Sequence, residues 1–173
     1  MADYEKAFAR LMDEEGVKLT DTQHDKGGLT YAGISRKFHP KWEGWQFVDV
    51  GSTPPLDLVR AFYRDKYWSM IKGEQINSQR VAEVLFSQTV NNEEAGIKLM
   101  QRVVGVIPDG VVGPKTVAAI NAASMHLKVT PEDALLMMYS TAHSKRFHEI
   151  GMRRKDQRIF WAGWWARALR IIK

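Results

Sequence analysis

Apolar side chains at Tyr4, Phe8, Leu11 and Met12 recur at helical spacing and stop at Gly16, and residues 17–30 then carry no hydrophobic period at all. This break constrains the chain most. An amphipathic helix must hand over to a short hairpin or ordered loop, because the segment is rich in turn formers and has no face to bury. Beyond it the helical period returns and dominates. Residues 34–38 read as a short helix and 42–45 as a loop. A helix starting at 52–55 has Leu56, Val59, Phe62 and Tyr63 inward, and a further one has Val81, Val84, Leu85 and Gln88 inward. A helix over 93–104 follows. Pro114 and Pro131 each suit a first helical position, the second behind a Thr130 cap. The Pro131 helix runs through Met137 and Met138 toward Phe147, and a last one spans about 155–172. The expected fold is mainly α, a helical bundle with a small β-hairpin or loop.

At 173 residues there is room for one compact domain or one domain with an appendage. The chain contains no cysteine, which excludes disulfides, thiolate nucleophiles and Cys-ligated zinc. No apolar run approaches the roughly 20 residues of a membrane span, and the acidic first residues do not read as a signal peptide. Synthesis in the cytoplasm is therefore expected. A net charge of +5 and a pI near 9.5 point to a polyanionic partner: nucleic acid, anionic membrane or cell-wall polymer. Charge does not choose among them.

Extending the first stripe from Leu11 brings Glu15 inward, while Asp13 and Glu14 point elsewhere. A carboxyl at the buried side of a helix end is kept protonated by desolvation, which a general acid requires. Spacing alone leaves this open against a frayed terminal Glu beside a glycine cap. Asp25 is followed by glycines that permit a tight reversal back toward Glu15, and one neutral plus one ionised carboxyl is the chemistry of glycoside hydrolysis. Thr30 has a hydroxyl able to orient a water. Read from the residues alone, Asp21 and Asp25 as turn residues and Thr30 as a strand residue are narrowly favoured.

The segment EEGVKLTDTQHDKGGLTYAGI resembles the signature of glycoside hydrolase family 108, the bacterial and phage N-acetylmuramidases. Glu15 and Gly16 match its Glu-Gly start, Asp21 its turn, and Asp25, Gly27, Gly28, Thr30, Gly33 and Ile34 the remainder. Val17 and Lys18 depart from it, and one extra residue precedes Asp25. The resemblance implies an α+β lysozyme-like fold, with Glu15, Asp25 and Thr30 as catalytic residues in an order similar to that of phage T4-type lysozymes. It also implies hydrolysis of the β-1,4 bond between N-acetylmuramic acid and N-acetylglucosamine, without a cofactor or a metal. The segment 81–92 is similar to the helix closing the family's catalytic part, with Gln88 and Asn91 as sugar-binding candidates. The segment 99–121 resembles a peptidoglycan-binding segment marked by Asp109, Gly110, Gly113, Pro114 and Thr116. The expected organisation is a catalytic region at 1–92 and a helical peptidoglycan-binding region at 93–173 packed against it. The expected partner is bacterial peptidoglycan, reached with the help of a holin or secretion machinery, and the expected state is a monomer. A non-catalytic peptidoglycan-binding protein and a basic nucleic-acid-binding protein are the alternatives.

Other signals carry less. Pro114 interrupts any phosphate loop before Lys115-Thr116, and neither the five histidines nor Asp21 and Asp25 have metal-ligand spacing. Near the end, Trp161, Trp165, Ala168 and Ile172 form one stripe and Phe160 with Trp164 a second. Core packing is preferred for so wide an arc over membrane-surface insertion. No nucleic-acid-binding module accompanies the charge.

Overall fold

The computed structural model describes residues 1–20, 28–123 and 131–171, with the side chains of Glu15 and Pro131 outside the description. Helix α1 (Tyr4–Glu15) starts on Asp3, whose carboxylate accepts from the Glu5 and Lys6 amides. It ends at Gly16, whose positive φ of 75° lets its N–H reach back to the Met12 carbonyl at 2.8 Å. Tyr4, Ala7, Phe8 and Leu11 are buried, as their spacing requires.

The chain then enters a three-stranded antiparallel sheet of β1 (Leu19–Thr20), β2 (Thr30–Tyr31) and β3 (Ile34–Ser35), in that order. Thr20 lies opposite Thr30, and Tyr31 lies opposite both Leu19 and Ile34. Residues 34–38 are thus not the expected helix. Ala32 and Gly33 have φ of 48° and 78°, the two positive values of a type I′ hairpin turn, and this pairs Ile34 with Tyr31. The hairpin wins because it buries Tyr31, Ala32 and Ile34 together, and the buried Tyr63 hydroxyl donates to the Ala32 carbonyl at 2.9 Å. Only one helix-like bond remains there, from the His39 N–H to the Ser35 carbonyl at 2.9 Å.

Short helix α2 (Trp45–Asp49) and helix α3 (Leu56–Tyr63) follow. A π-turn over Arg64–Trp68 leads into α4 (Ser69–Ile71), and a 3₁₀ turn over Gly73–Gln75 leads on to α5 (Gln79–Asn92). Helix α5 has no exposed residue along its length, with Val81, Ala82, Val84, Leu85 and Phe86 buried, and it is accordingly the central helix. It packs against α1 on one side and against α6 (Glu94–Val103) and α8 (Pro131–Arg153) on the other. Glu93 alone makes the corner between α5 and α6, at φ 48° and ψ −134°, a conformation costly for a residue with a Cβ. The two helices approach so closely that a Cβ on Gly96 would lie 2.9 Å from the Gln88 carbonyl oxygen.

Helix α7 (Pro114–Ala123) begins at its proline, as expected. The Asp109 to Thr116 motif before it closes around Gln101, which is buried on α6. The Gln101 amide donates to Asp109 Oδ1 at 2.8 Å, to the Val111 carbonyl at 3.1 Å and to Thr116 Oγ1 at 3.3 Å. In return the Gly110 N–H donates to Gln101 Oε1 at 2.9 Å, with Gly110 at φ 87°. These motif residues satisfy a buried amide, which explains their spacing structurally.

A 3₁₀ segment (Lys155–Phe160) leads to α9 (Trp161–Arg170), which lies on α8 through a Ser140 hydroxyl bond to the Ala168 carbonyl at 2.8 Å. Its inner stripe is Trp161, Trp164, Ala168 and Ile171, whereas Trp165 is 39% exposed. Of the two expected stripes, Trp161 and Ala168 of the first and Trp164 of the second face inward, Trp164 stacked on Phe147 at 5.3 Å, whereas Trp165 and Phe160 are exposed and Ile172 lies outside the described residues. One hydrophobic cluster includes Phe8, Tyr63 and Leu85 from the first half and Ile97, Leu136, Tyr139 and Ile171 from the second. Among the described residues no helix is long and apolar enough to cross a membrane.

Candidate active site

The end of α1 is held against α5. Glu14 accepts a hydrogen bond from the Ser87 hydroxyl at 3.1 Å and lies 3.7 Å from Arg10, which also pairs with Glu83 at 3.0 Å. Glu14 is thus tied into a polar network between the two helices. The backbone of Glu15 forms the last residue of α1. One helical turn past Ser87 stands Asn91, whose amide donates back to the Ser87 carbonyl at 2.9 Å.

Thr30 lies in the middle strand, half-buried, where its hydroxyl donates to the Gly28 carbonyl at 3.0 Å. A hydroxyl used this way keeps its lone pairs for a proton donor such as water. Gly28, at φ 60°, gives the turn before the strand a backbone that a side chain would strain. The expectations for Asp21, Asp25 and Gly27 lie outside the described residues. Thr20 and Thr30, on either side of that segment in the sequence, are cross-strand partners.

A cleft of about 510 Å³ opens between the hairpin and the end of α5. Gly33, Ser35, Phe38 and His39 line one wall, Asn91, Asn92 and Glu93 the other, with Tyr67 and Arg146 also contributing. Asn91, expected from the sequence, is in this wall. Gln88 is not: it is 3% exposed, and its side-chain oxygen accepts from the Asn92 amide at 3.3 Å. Asn92 also accepts from the Arg146 guanidinium at 3.1 Å, which locks the α5 terminus to α8. Phe38, 63% exposed, presents an aromatic face at the rim.

The charges in the cleft act on one another. Burial and, after it, the negative charge of Glu93 push the Tyr67 phenol up to about 12. Burial first, then the Lys66 ammonium, holds the His39 imidazole below its usual value, while Glu93 opposes this. Lys66 Nζ is 3.2 Å from His39 Nδ1. The cleft therefore has a neutral imidazole, a protonated phenol, two amides, a guanidinium and the Glu93 carboxylate, which are hydrogen-bonding partners suited to a polyhydroxylated ligand. Sequence reading missed Phe38, His39, Tyr67, Asn92, Glu93 and Arg146. Glu93 had no local signal, and Arg146 reaches the site only through the packing of α8 on α5. Among the described residues no group of histidine and carboxylate side chains could hold a metal ion.

Residues 8–92 match the family model described as Glycosyl hydrolase 108, and residues 95–169 match the one described as Predicted Peptidoglycan domain. No curated protein matches the chain. Among solved structures the chain is similar to SagA of Brucella abortus, with 24% identity and a TM-score of 0.76, over 98% of this chain and 91% of that one. At that identity the likeness is one of fold.

Proposed function

The chain belongs to the glycosyl hydrolase 108 family through residues 8–92, with a peptidoglycan domain following it, and from this we propose that it is an N-acetylmuramidase. It hydrolyses the β-1,4 bond between N-acetylmuramic acid and N-acetylglucosamine. The observation that carries this reading is the position of the α1 terminus. Glu15 closes a helix anchored through Glu14 to Ser87, one turn of α5 before the cleft residue Asn91.

In this mechanism Glu15 protonates the glycosidic oxygen as the bond breaks. Asp25 stabilises the positive charge that develops on the sugar ring or helps to activate the attacking water, and Thr30 accepts a hydrogen bond from that water. The Thr30 hydroxyl bond to Gly28 supports the last role, since it leaves the oxygen turned to accept. We assign an inverting outcome, which requires carboxyl groups about 6.5–9.5 Å apart with water between them. The 93–173 region acts as part of the same body, supported by the shared hydrophobic cluster and by cross-bonds such as Arg146 to Asn92 and Asn121 to the Gln75 carbonyl. The protein works on the cell wall after export or release by a holin or secretion machinery, in phage lysis or wall remodelling.

Digestion of purified cell walls, followed by borohydride reduction, tests the bond assignment. New muramitol ends are expected, and NMR of the digest before reduction should show the α anomer formed first. New glucosaminitol ends would overturn the muramidase reading, and a β anomer would overturn inversion.

A further inference from the structure

A second cleft, of about 250 Å³, adjoins the first. The two share Asn91, Asn92 and Arg146, and the second runs on between α8 and α9 past Phe147, Ile150, Arg154 and Gln157 to Trp164 and Arg167. None of its lining residues is acidic, and three are arginines. Arg154 is balanced in part by Asp156 at 3.1 Å, and both are exposed. Arg167 has no ion pair among the described residues, and Arg146 donates its hydrogen bond to the neutral Asn92. The floor is the stacked pair Phe147 and Trp164. Excess positive charge above an aromatic floor suits a short chain that bears carboxylates.

We infer that this groove binds the acidic peptide carried by the glycan, so that the second half reads the peptide while the first holds the sugar. The inference rests on the peptidoglycan reading above. Its basis is adjacency: Asn91, Asn92 and Arg146 line both clefts, so a peptide attached to a sugar in the first has the second beside it. The guanidinium forks of Arg154 and Arg167 pair with the peptide carboxylates, and Gln157 and Asn92 bond its amides. Wall recognition and catalysis then occupy one surface. Peptide charge thereby becomes a determinant of which strands are cut.

Calorimetry on the full chain tests this with two soluble probes. One is the N-acetylglucosaminyl-N-acetylmuramyl peptide with free carboxylates, and the other is the same molecule with every carboxylate converted to carboxamide. Neither contains the bond the enzyme is proposed to cut, so the result does not depend on catalysis. The wild-type protein should bind the acid form roughly tenfold more tightly, with a gap that shrinks as salt is added. In a folded R154Q/R167Q double variant the preference should fall to about twofold or less. Equal binding of both probes by the wild type overturns the inference, as does a preference that survives in the double variant. Failure to cleave walls would instead refute the muramidase reading and leave this result standing.

Discussion

His143 makes the stability of the fold fall with acid in a way that one substitution should abolish. It lies on α8 with 0% exposure, edge-on to the Tyr139 ring at 4.6 Å and 5.6 Å from Phe147. Neither ring nitrogen has a hydrogen-bond partner among the described residues. Burial first, and the Arg146 guanidinium second, lower its pKa from 6.5 to about 3. Above pH 6.5 the imidazole is neutral in both states and its contribution is constant. Below that, the unfolded chain takes up a proton that the folded chain refuses until about pH 3. Stability is therefore lost as pH falls, by about 1.4 kcal/mol per unit, or roughly 2–3 kcal/mol between pH 6.5 and 4.5. His143→Leu removes the titration. Because burial lowers the His39 value as well, the quantity to read is the difference between wild type and variant. Urea unfolding across this range should show the wild type losing stability faster than the variant by that amount. Parallel pH profiles would refute the reasoning.

Gly96→Ala should destabilise the protein by roughly 1–2 kcal/mol in urea melts although alanine favours helix, because its Cβ meets the Gln88 backbone. A neutral or stabilising effect would mean that α5 and α6 can separate freely. A chain truncated after Asn92 should lose cooperative unfolding and near-UV dichroism, since Val84 and Leu85 on α5 belong to a cluster completed by Ile97, Leu136 and Tyr139. Cooperative unfolding with retained wall cleavage would show that the first half is independent.

Local features were legible where a single segment decides them. The α1 stripe and its glycine cap appear in the residues directly, as do the proline starts of α7 and α8. Strand β3 was misread as the start of a helix over 34–38, because the sequence shows the apolar residues but not that Ala32 accepts a positive φ to pair Tyr31 with Ile34. The inward arc of α9 was drawn too wide for a similar reason: several aromatic residues satisfy the helical period, and only the fit of Trp164 on Phe147 selects which of them pack inward. The cleft was the least legible part. Its walls come from segments near residues 35, 67, 92 and 146, which meet only after α5 and α8 have packed. Gln88 shows the converse error, for a polar residue on an amphipathic helix looked available to ligand and is instead a buried partner of Asn92.

The central claim is that Glu15 is the general acid, and paired substitutions at the end of α1 test it most directly. Glu15→Gln and Glu14→Gln are compared in a turbidity assay on bare cell walls, with folding checked by thermal unfolding. Glu15→Gln should keep its fold and lose roughly two to four orders of magnitude in rate. Glu14→Gln should stay near wild type, because Glu14 is engaged with Ser87 and Arg10. Near-full activity in Glu15→Gln with loss in Glu14→Gln would contradict the account.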